Sequence, residues 1–211
     1  MVAALARSGH RGLTVDLCTD EPLVDVGDYA QLAAAQVPAC NRPIVVAHSG
    51  SGTLLPAIAQ ALDAAAMVWL AAYIPDFTGG RSLLDEIHAD PTHLFHADWL
   101  GVDPTTDTAA ARRFLFHDCD PDLQQWALTT MRAFTPTAAY RHTPSTQSPT
   151  IASTYIAATA DRTLRTDWML QAATDRLGVH AATIDAGHCP HVSRPQAVAD
   201  ILTTIRSGRL C

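Results

Sequence analysis

Pro43-Ile-Val-Val-Ala-His-Ser-Gly-Ser-Gly-Thr53 passes from a run of apolar, mostly β-branched residues into a cluster of small residues around a serine. The run has the composition of a buried parallel strand. The stretch that follows, Leu54-Leu-Pro-Ala-Ile-Ala-Gln-Ala-Leu62, carries apolar positions that can cover a helix. The order is therefore strand, tight turn, helix. Ala47-His48-Ser49-Gly50-Ser51 has the small-x-Ser-x-small spacing of a nucleophile elbow, a turn so sharp that larger flanking side chains would collide with the backbone. Such a turn lifts the Ser49 hydroxyl clear of the sheet, and the Gly50 amide at the start of the helix can face a developing oxyanion. Small residues also surround serines in phosphate-binding turns and in turns that are merely tight. Ser51 nearly repeats the spacing, but it falls beyond the bend, so Ser49 is the candidate nucleophile.

Working outward, Ala66 to Ile74 reads as a second buried strand, and Asp28 to Val37 as a helix ended by Pro38. Val2 to Ser8 reads as a helix closed by Gly9, and Leu13 to Cys18 as a short strand. This alternation predicts a mainly parallel α/β sheet with helices on both faces. The rhythm breaks from Phe77 to Thr150, where turn signals (Gly79-Gly80, Asp90-Pro91, Asp103-Pro104, Asp120-Pro121) separate helical stretches such as Thr108 to Phe116 and Asp122 to Phe134. The expected organisation is a core half at 1–76, a helical cap insertion at 77–150 over the carboxyl edge of the sheet, and the rest of the core at 151–211. That last part contains strand Ile151 to Ala158, a helix around Asp167 to Leu177, strand Val179 to Ile184 and a helix from Pro195 to Ile205, with Gly208 beyond its end.

A serine hydroxyl needs a base, and the base needs an orienting group. Ile184-Asp-Ala-Gly-His-Cys-Pro-His-Val-Ser-Arg-Pro195 supplies two histidines after the last strand. His188 falls where a loop at the carboxyl edge would project; His191, three residues on, is expected at the entrance. The acid falls to aspartate, since the only glutamates are Glu21 and Glu86. Asp161, just past the Ile151 to Ala158 strand, completes the chain order Ser, Asp, His. Asp76 is the fallback, and Asp185 lies too close to His188 along the chain.

The pair His188 and His191 around Cys189 could also ligate a metal, but no second pair stands at ligand spacing. His88, His93 and His96 are irregularly spaced and read as surface or pocket residues. No metal and no cofactor is expected. Trp99, Phe114, Phe116, Trp126 and Phe134, together with His48 and His191, are candidates for the substrate pocket, although helical core is the commoner fate of such aromatic residues.

The 211 residues make one domain's worth of chain, able to bury roughly 70% of its unfolded surface. With 48% hydrophobic and 17% charged residues the chain reads as globular, and its apolar runs break well short of the ~20 residues of a membrane span. The first residues lack the basic start and the apolar length of a signal peptide, so a cytoplasmic protein is expected. All 14 basic residues are arginine, and the net charge of −7 argues against a nucleic-acid partner. Cys18, Cys40, Cys119, Cys189 and Cys211 are an odd, scattered set, which reads as free thiols.

Ala47-His-Ser-Gly-Ser51, Tyr155-Ile-Ala-Ala-Thr-Ala-Asp161 with Trp168 downstream, and Gly187-His-Cys-Pro-His-Val-Ser-Arg-Pro195 together resemble the serine-type α/β-hydrolase superfamily. The resemblance is to the branch holding plant methylesterases, hydroxynitrile lyases and bacterial esterase-like proteins, and Arg7 to Asp16 looks like that family's first helix leading to its next strand. It covers nearly the whole chain and implies Ser49 as nucleophile, His188 as general base and then acid, and Asp161 as its orienter. The implied activity is hydrolysis of a small or medium, mostly uncharged acyl compound. A hydroxynitrile-type lyase would use the same three residues, whereas dehalogenase and epoxide-hydrolase chemistry would require a carboxylate at the elbow.

One departure stands out. The family's initial strand, whose loop gives a second oxyanion amide, is missing between Leu13–Cys18 and Pro43–Ala47. The chain then begins inside a longer natural protein, or the two strands pair directly, or a partner chain, as in a homodimer, fills the edge. The last two would leave a weak enzyme or a binding protein built on the fold.

Overall fold

The computed structural model describes residues 1–19, 23, 25–39, 41–145 and 150–205. Glu21, Cys40, Gly208, Cys211 and positions 146–149 lie outside them. The chain opens with helix α1 (Val2–Arg7) and α2 (Val26–Gln36). Asp25 starts α2 with a capping box: its carboxylate accepts from the Gly27 and Asp28 amides while Asp28 returns to the Asp25 amide. Strand β1 (Ile44–Ser49) runs into a 3₁₀ turn (Gly50–Leu54) and helix α3 (Leu55–Ala61), followed by β2 (Ala66–Ala72).

The described part of 77–150 is helical. It holds α4 (Leu83–Ala89), α5 (Pro91–Leu94), a 3₁₀ turn (Ala97–Trp99), α6 (Thr108–Ala110) widening into a π turn (Ala111–Leu115), α7 (Pro121–Thr130) and α8 (Thr137–Arg141). The core resumes with β3 (Ala152–Ala158), α9 (Thr166–Leu177), β4 (Ala182–Ile184), α10 (Pro190–Ser193) and α11 (Pro195–Thr204).

The four strands form one parallel sheet in the order β1-β2-β3-β4, the arrangement demanded when each strand returns through a crossover helix. All seven residues of β2 are buried, and Trp69, Met67 and Leu70 join Tyr155, Ile156 and Met169 in the core. Tyr155 is admitted there because its hydroxyl donates to the Ala72 carbonyl at 2.7 Å.

Leu13 to Cys18, expected as a strand, pairs with nothing in the sheet. Its backbone is satisfied by side chains instead: the Asp16 amide donates to Gln36 Oε1 at 2.8 Å and the Asp16 carbonyl accepts from Gln36 Nε2 at 2.7 Å. Gln36 thereby does the work of a neighbouring strand. Direct pairing of this stretch with β1 does not occur, and among the described residues β1 is an edge strand bonded to β2 alone. It is correspondingly less buried than β2.

Candidate active site

The elbow is built where β1 ends. Ser49 sits at φ 55°, ψ −133°, a conformation that a residue with a side chain adopts only under constraint. The constraint comes from both sides. The register of β1 against β2 jumps at this point, with Ala71 at φ 41° as the extra residue, and the Ser49 carbonyl still accepts from the Tyr73 amide at 3.0 Å. Ser51 Oγ, the rival nucleophile, donates to the His48 carbonyl at 2.6 Å and accepts from the His48 amide at 3.1 Å, so its hydroxyl closes the turn. Gly52 is needed because a Cβ there would run into the Tyr73 carbonyl.

Ser49, Asp161 and His188, 139 and 27 residues from one another along the chain, meet at this bend. Ser49 Oγ lies 2.9 Å from His188 Nε2, and His188 Nδ1 lies 2.8 Å from Asp161 Oδ2. His188 and Asp161 are buried, while Ser49 is partly open. With the carboxylate taking the Nδ1 hydrogen, Nε2 is left bare to accept the Ser49 hydroxyl. Asp161 is held as well as holding: its Oδ1 accepts the amides of Thr163 at 2.7 Å and Leu164 at 3.1 Å, and the Thr163 hydroxyl at 3.0 Å. Thr163 Oγ1 is also 2.7 Å from His188 Nδ1.

Neither the fallback acid Asp76 nor the set-aside Asp185 joins the site. Asp76 caps its own turn, accepting from the Gly79 amide at 2.8 Å and Arg81 Nε at 3.1 Å, and Asp185 is exposed. The helical segment between β2 and β3 reaches the site through His117 and Asp118. His117 Nε2 donates to the Ala160 carbonyl at 2.9 Å and Asp118 Oδ2 accepts from the Gly187 amide at 2.8 Å, which braces the Asp161 and His188 loops together. A Cβ on Gly187 would press on Asp118 and His117 at 2.7 and 2.8 Å.

His48 and His191 meet edge to face with ring centroids 4.6 Å apart, and the His48 ring lies tilted 4.7 Å from that of His188. Burial, then the neighbouring imidazoles, pushes His48 far below the ordinary histidine range; burial and then His188 push His191 down to about 4. Both are neutral at pH 7. Among the described residues no group of three or more His, Cys, Asp or Glu side chains is arranged to hold a metal ion. None of their helices is long and apolar enough to cross a membrane. Cys18, Cys119 and Cys189 are free thiols.

The expected pocket aromatics scatter. Trp99 packs edge-on against buried Phe114 with centroids 5.4 Å apart, and Phe116 joins Cys119 and Cys189 in a separate cluster. Trp126 stands 55% exposed on α7. Phe134 lines a cavity of about 300 Å³ with Leu17, Cys18, Tyr29 and Ala138. That cavity has none of Ser49, Asp161 or His188 in its wall.

The profile of the Alpha/beta hydrolase family matches residues 1–201. The chain belongs to that family. Solved structures of similar fold include a polyneuridine aldehyde esterase mutant, at 17% identity and a TM-score of 0.75, covering 98% of this chain and 92% of the other. They also include a methylesterase from Arabidopsis (13%, 0.69, 96% and 89%) and a pyrethroid hydrolase from Sphingobium faniae (19%, 0.68, 96% and 88%). A search of curated proteins finds no match. In this alpha/beta hydrolase, two residues beside the site were not among the sequence candidates: Thr163, which binds Asp161, and Tyr140, whose phenol oxygen lies 2.5 Å from where a Cβ on Gly50 would be. Thr163 had a local signal, since an aspartate two residues before a threonine is poised for an Asx turn; Tyr140 had none.

Proposed function

We propose that the protein is a serine hydrolase of esterase type, cleaving a small or medium, uncharged ester or related acyl compound through an acyl-enzyme. The observation that carries this reading is the unbroken path from Ser49 Oγ through both nitrogens of His188 to Asp161, at 2.9 and 2.8 Å. Ser49 Oγ forms a bond to the substrate carbonyl carbon as its proton passes to His188 Nε2, and the carbonyl π electrons move onto oxygen. The Gly50 amide, at the start of the 3₁₀ turn where no acceptor precedes it in the helix, faces that oxygen. Collapse of the intermediate breaks the bond to the leaving alkoxide, which takes the proton from His188. Water then repeats the sequence on the acyl-enzyme, giving its proton to His188 and releasing the acid and free Ser49. Asp161 stays ionised and stabilises the imidazolium in both halves. The insertion at 77–150 acts as the cap, with His117 and Asp118 as its attachment to the catalytic loops.

The test is Ser49→Ala, assayed with short-chain p-nitrophenyl esters and a fluorophosphonate probe. Loss of turnover and of labelling supports the assignment; labelling equal to that of the unsubstituted protein refutes it.

A further inference from the structure

The Gly50 amide is one oxyanion donor in the proposed mechanism, and each such donor is worth about 100- to 1,000-fold in turnover. A second donor stands beside it. Tyr140, on α8, reaches across to the elbow so that its phenol oxygen lies 2.5 Å from the point where a Cβ on Gly50 would be, with the Cζ and Cε1 atoms at 3.1 and 3.3 Å. The phenol therefore takes the place of a side chain at the residue that follows Ser49. Among the described residues the Tyr140 hydroxyl has no hydrogen-bond partner, in contrast to Tyr73 and Tyr155, which donate to Glu86 and to the Ala72 carbonyl. Its ring packs against the main core and the preceding Ala139 is buried, so the side chain is held from below while its O–H is left unspent.

We infer that the Tyr140 hydroxyl is the second oxyanion donor, hydrogen-bonding the substrate carbonyl oxygen together with the Gly50 amide. The inference rests on the serine-hydrolase reading. Burial raises the phenol above its ordinary titration range, so it remains a donor under all conditions in which the imidazole works. It also explains the glycine: any side chain at position 50 would push the phenol away from the carbonyl. The contribution belongs to the transition state, where negative charge accumulates, and not to ground-state binding.

The experiment is steady-state hydrolysis of p-nitrophenyl butyrate by the full chain and by Tyr140→Phe, with fluorophosphonate labelling of the full chain and of Ser49→Ala. The expected result is a kcat lower by about 10- to 100-fold in Tyr140→Phe with KM changed less than about threefold. If Tyr140→Phe does not fold, 3,5-difluorotyrosine at position 140 keeps the shape and acidifies the phenol. The alkaline limb of kcat then moves to lower pH. Tyr140→Phe turnover within twofold of the full chain, or an unmoved alkaline limb, overturns the inference while leaving Ser49 as nucleophile. Absence of Ser49-dependent turnover and labelling in the full chain overturns the hydrolase reading itself, and the role of Tyr140 with it.

Discussion

His48 Nε2 lies 2.7 Å from the backbone carbonyl of His188. Because the acceptor is a carbonyl, Nε2 carries the hydrogen, and the residue before the candidate nucleophile thus anchors the loop of the candidate base. The elbow and the histidine loop are set against each other by this bond as well as by the Ser49–His188 contact. His48→Phe keeps a ring in place and leaves the carbonyl without its donor, at a cost of about 1–3 kcal/mol. The expected outcome is a kcat for p-nitrophenyl esters reduced about tenfold. His48→Gln, whose amide can reach the same carbonyl, retains most of the activity. Equal turnover in all three proteins would separate His48 from the chemistry.

The two neutral, half-buried histidines make stability depend on acid. In the unfolded chain His191 titrates near its ordinary 6.5, while in the folded protein it is pushed down to about 4, and His48 is pushed down as well. Below pH 6.5 the unfolded chain therefore binds more protons than the folded one. Stability is complete above about 6.5 and declines as the pH falls toward 4, where His191 also charges in the folded state and its part of the slope ends. His191 contributes up to about 3 kcal/mol of this loss. Urea midpoints should fall steadily between pH 6.5 and 4.5, and His191→Leu should flatten the curve. A wild-type midpoint constant over that interval would contradict the assignment of these rings as neutral in the folded protein.

Asp161 and Thr163 separate orientation of His188 from support of the acid. Asp161→Asn gives His188 Nδ1 an amide to accept from or donate to, which admits the wrong tautomer, and turnover should fall by about 10⁴ with little change in fold. Thr163→Val removes one hydroxyl from Asp161 Oδ1 but leaves the two amides that also bind it. The expected loss is therefore small, about threefold to tenfold. Comparable losses in the two variants would mean that the threonine hydroxyl, and not the carboxylate, fixes the imidazole.

The elbow and the three-residue chain of contacts were legible because each part has a local signature: small residues at a forced turn, an aspartate past one strand, a histidine past the last. The parallel sense of the sheet followed from alternation of strands and helices. Leu13 to Cys18 was misread because its alternation of apolar residues satisfies a strand pattern, whereas strand formation also needs a neighbour, and here Gln36 takes that place. Trp99, Phe116 and Trp126 could not be sorted by sequence, since aromatic residues on short helices serve core, surface and pocket alike. Tyr140 left no trace for a related reason: its relation to Gly50 spans 90 positions of chain and depends on how a five-residue helix is set down.

Glu86 and Arg176 tie α4 to α9. Arg176 on α9 places Nη2 2.8 Å from Glu86 Oε2 and Nη1 3.0 Å from Oε1, and Nη1 also donates to the Ile74 carbonyl at 2.6 Å. The Tyr73 hydroxyl completes the set at 2.6 Å from Glu86 Oε1. Both charged side chains are nearly sealed from water, at 12% and 2% exposure. Removing one partner leaves a charge without compensation, so Glu86→Ala should destabilise the protein by about 3–5 kcal/mol. Replacing both, as in Glu86→Leu with Arg176→Met, removes the two desolvation costs together and should recover most of that loss. Denaturant titration of the two variants tests the coupling, and activity per folded molecule should be unchanged in either, because neither residue touches Ser49, Asp161 or His188. A double variant as unstable as the single one would mean that the stability comes from the hydrogen bonds to Ile74 and Tyr73 and not from the pairing of charges.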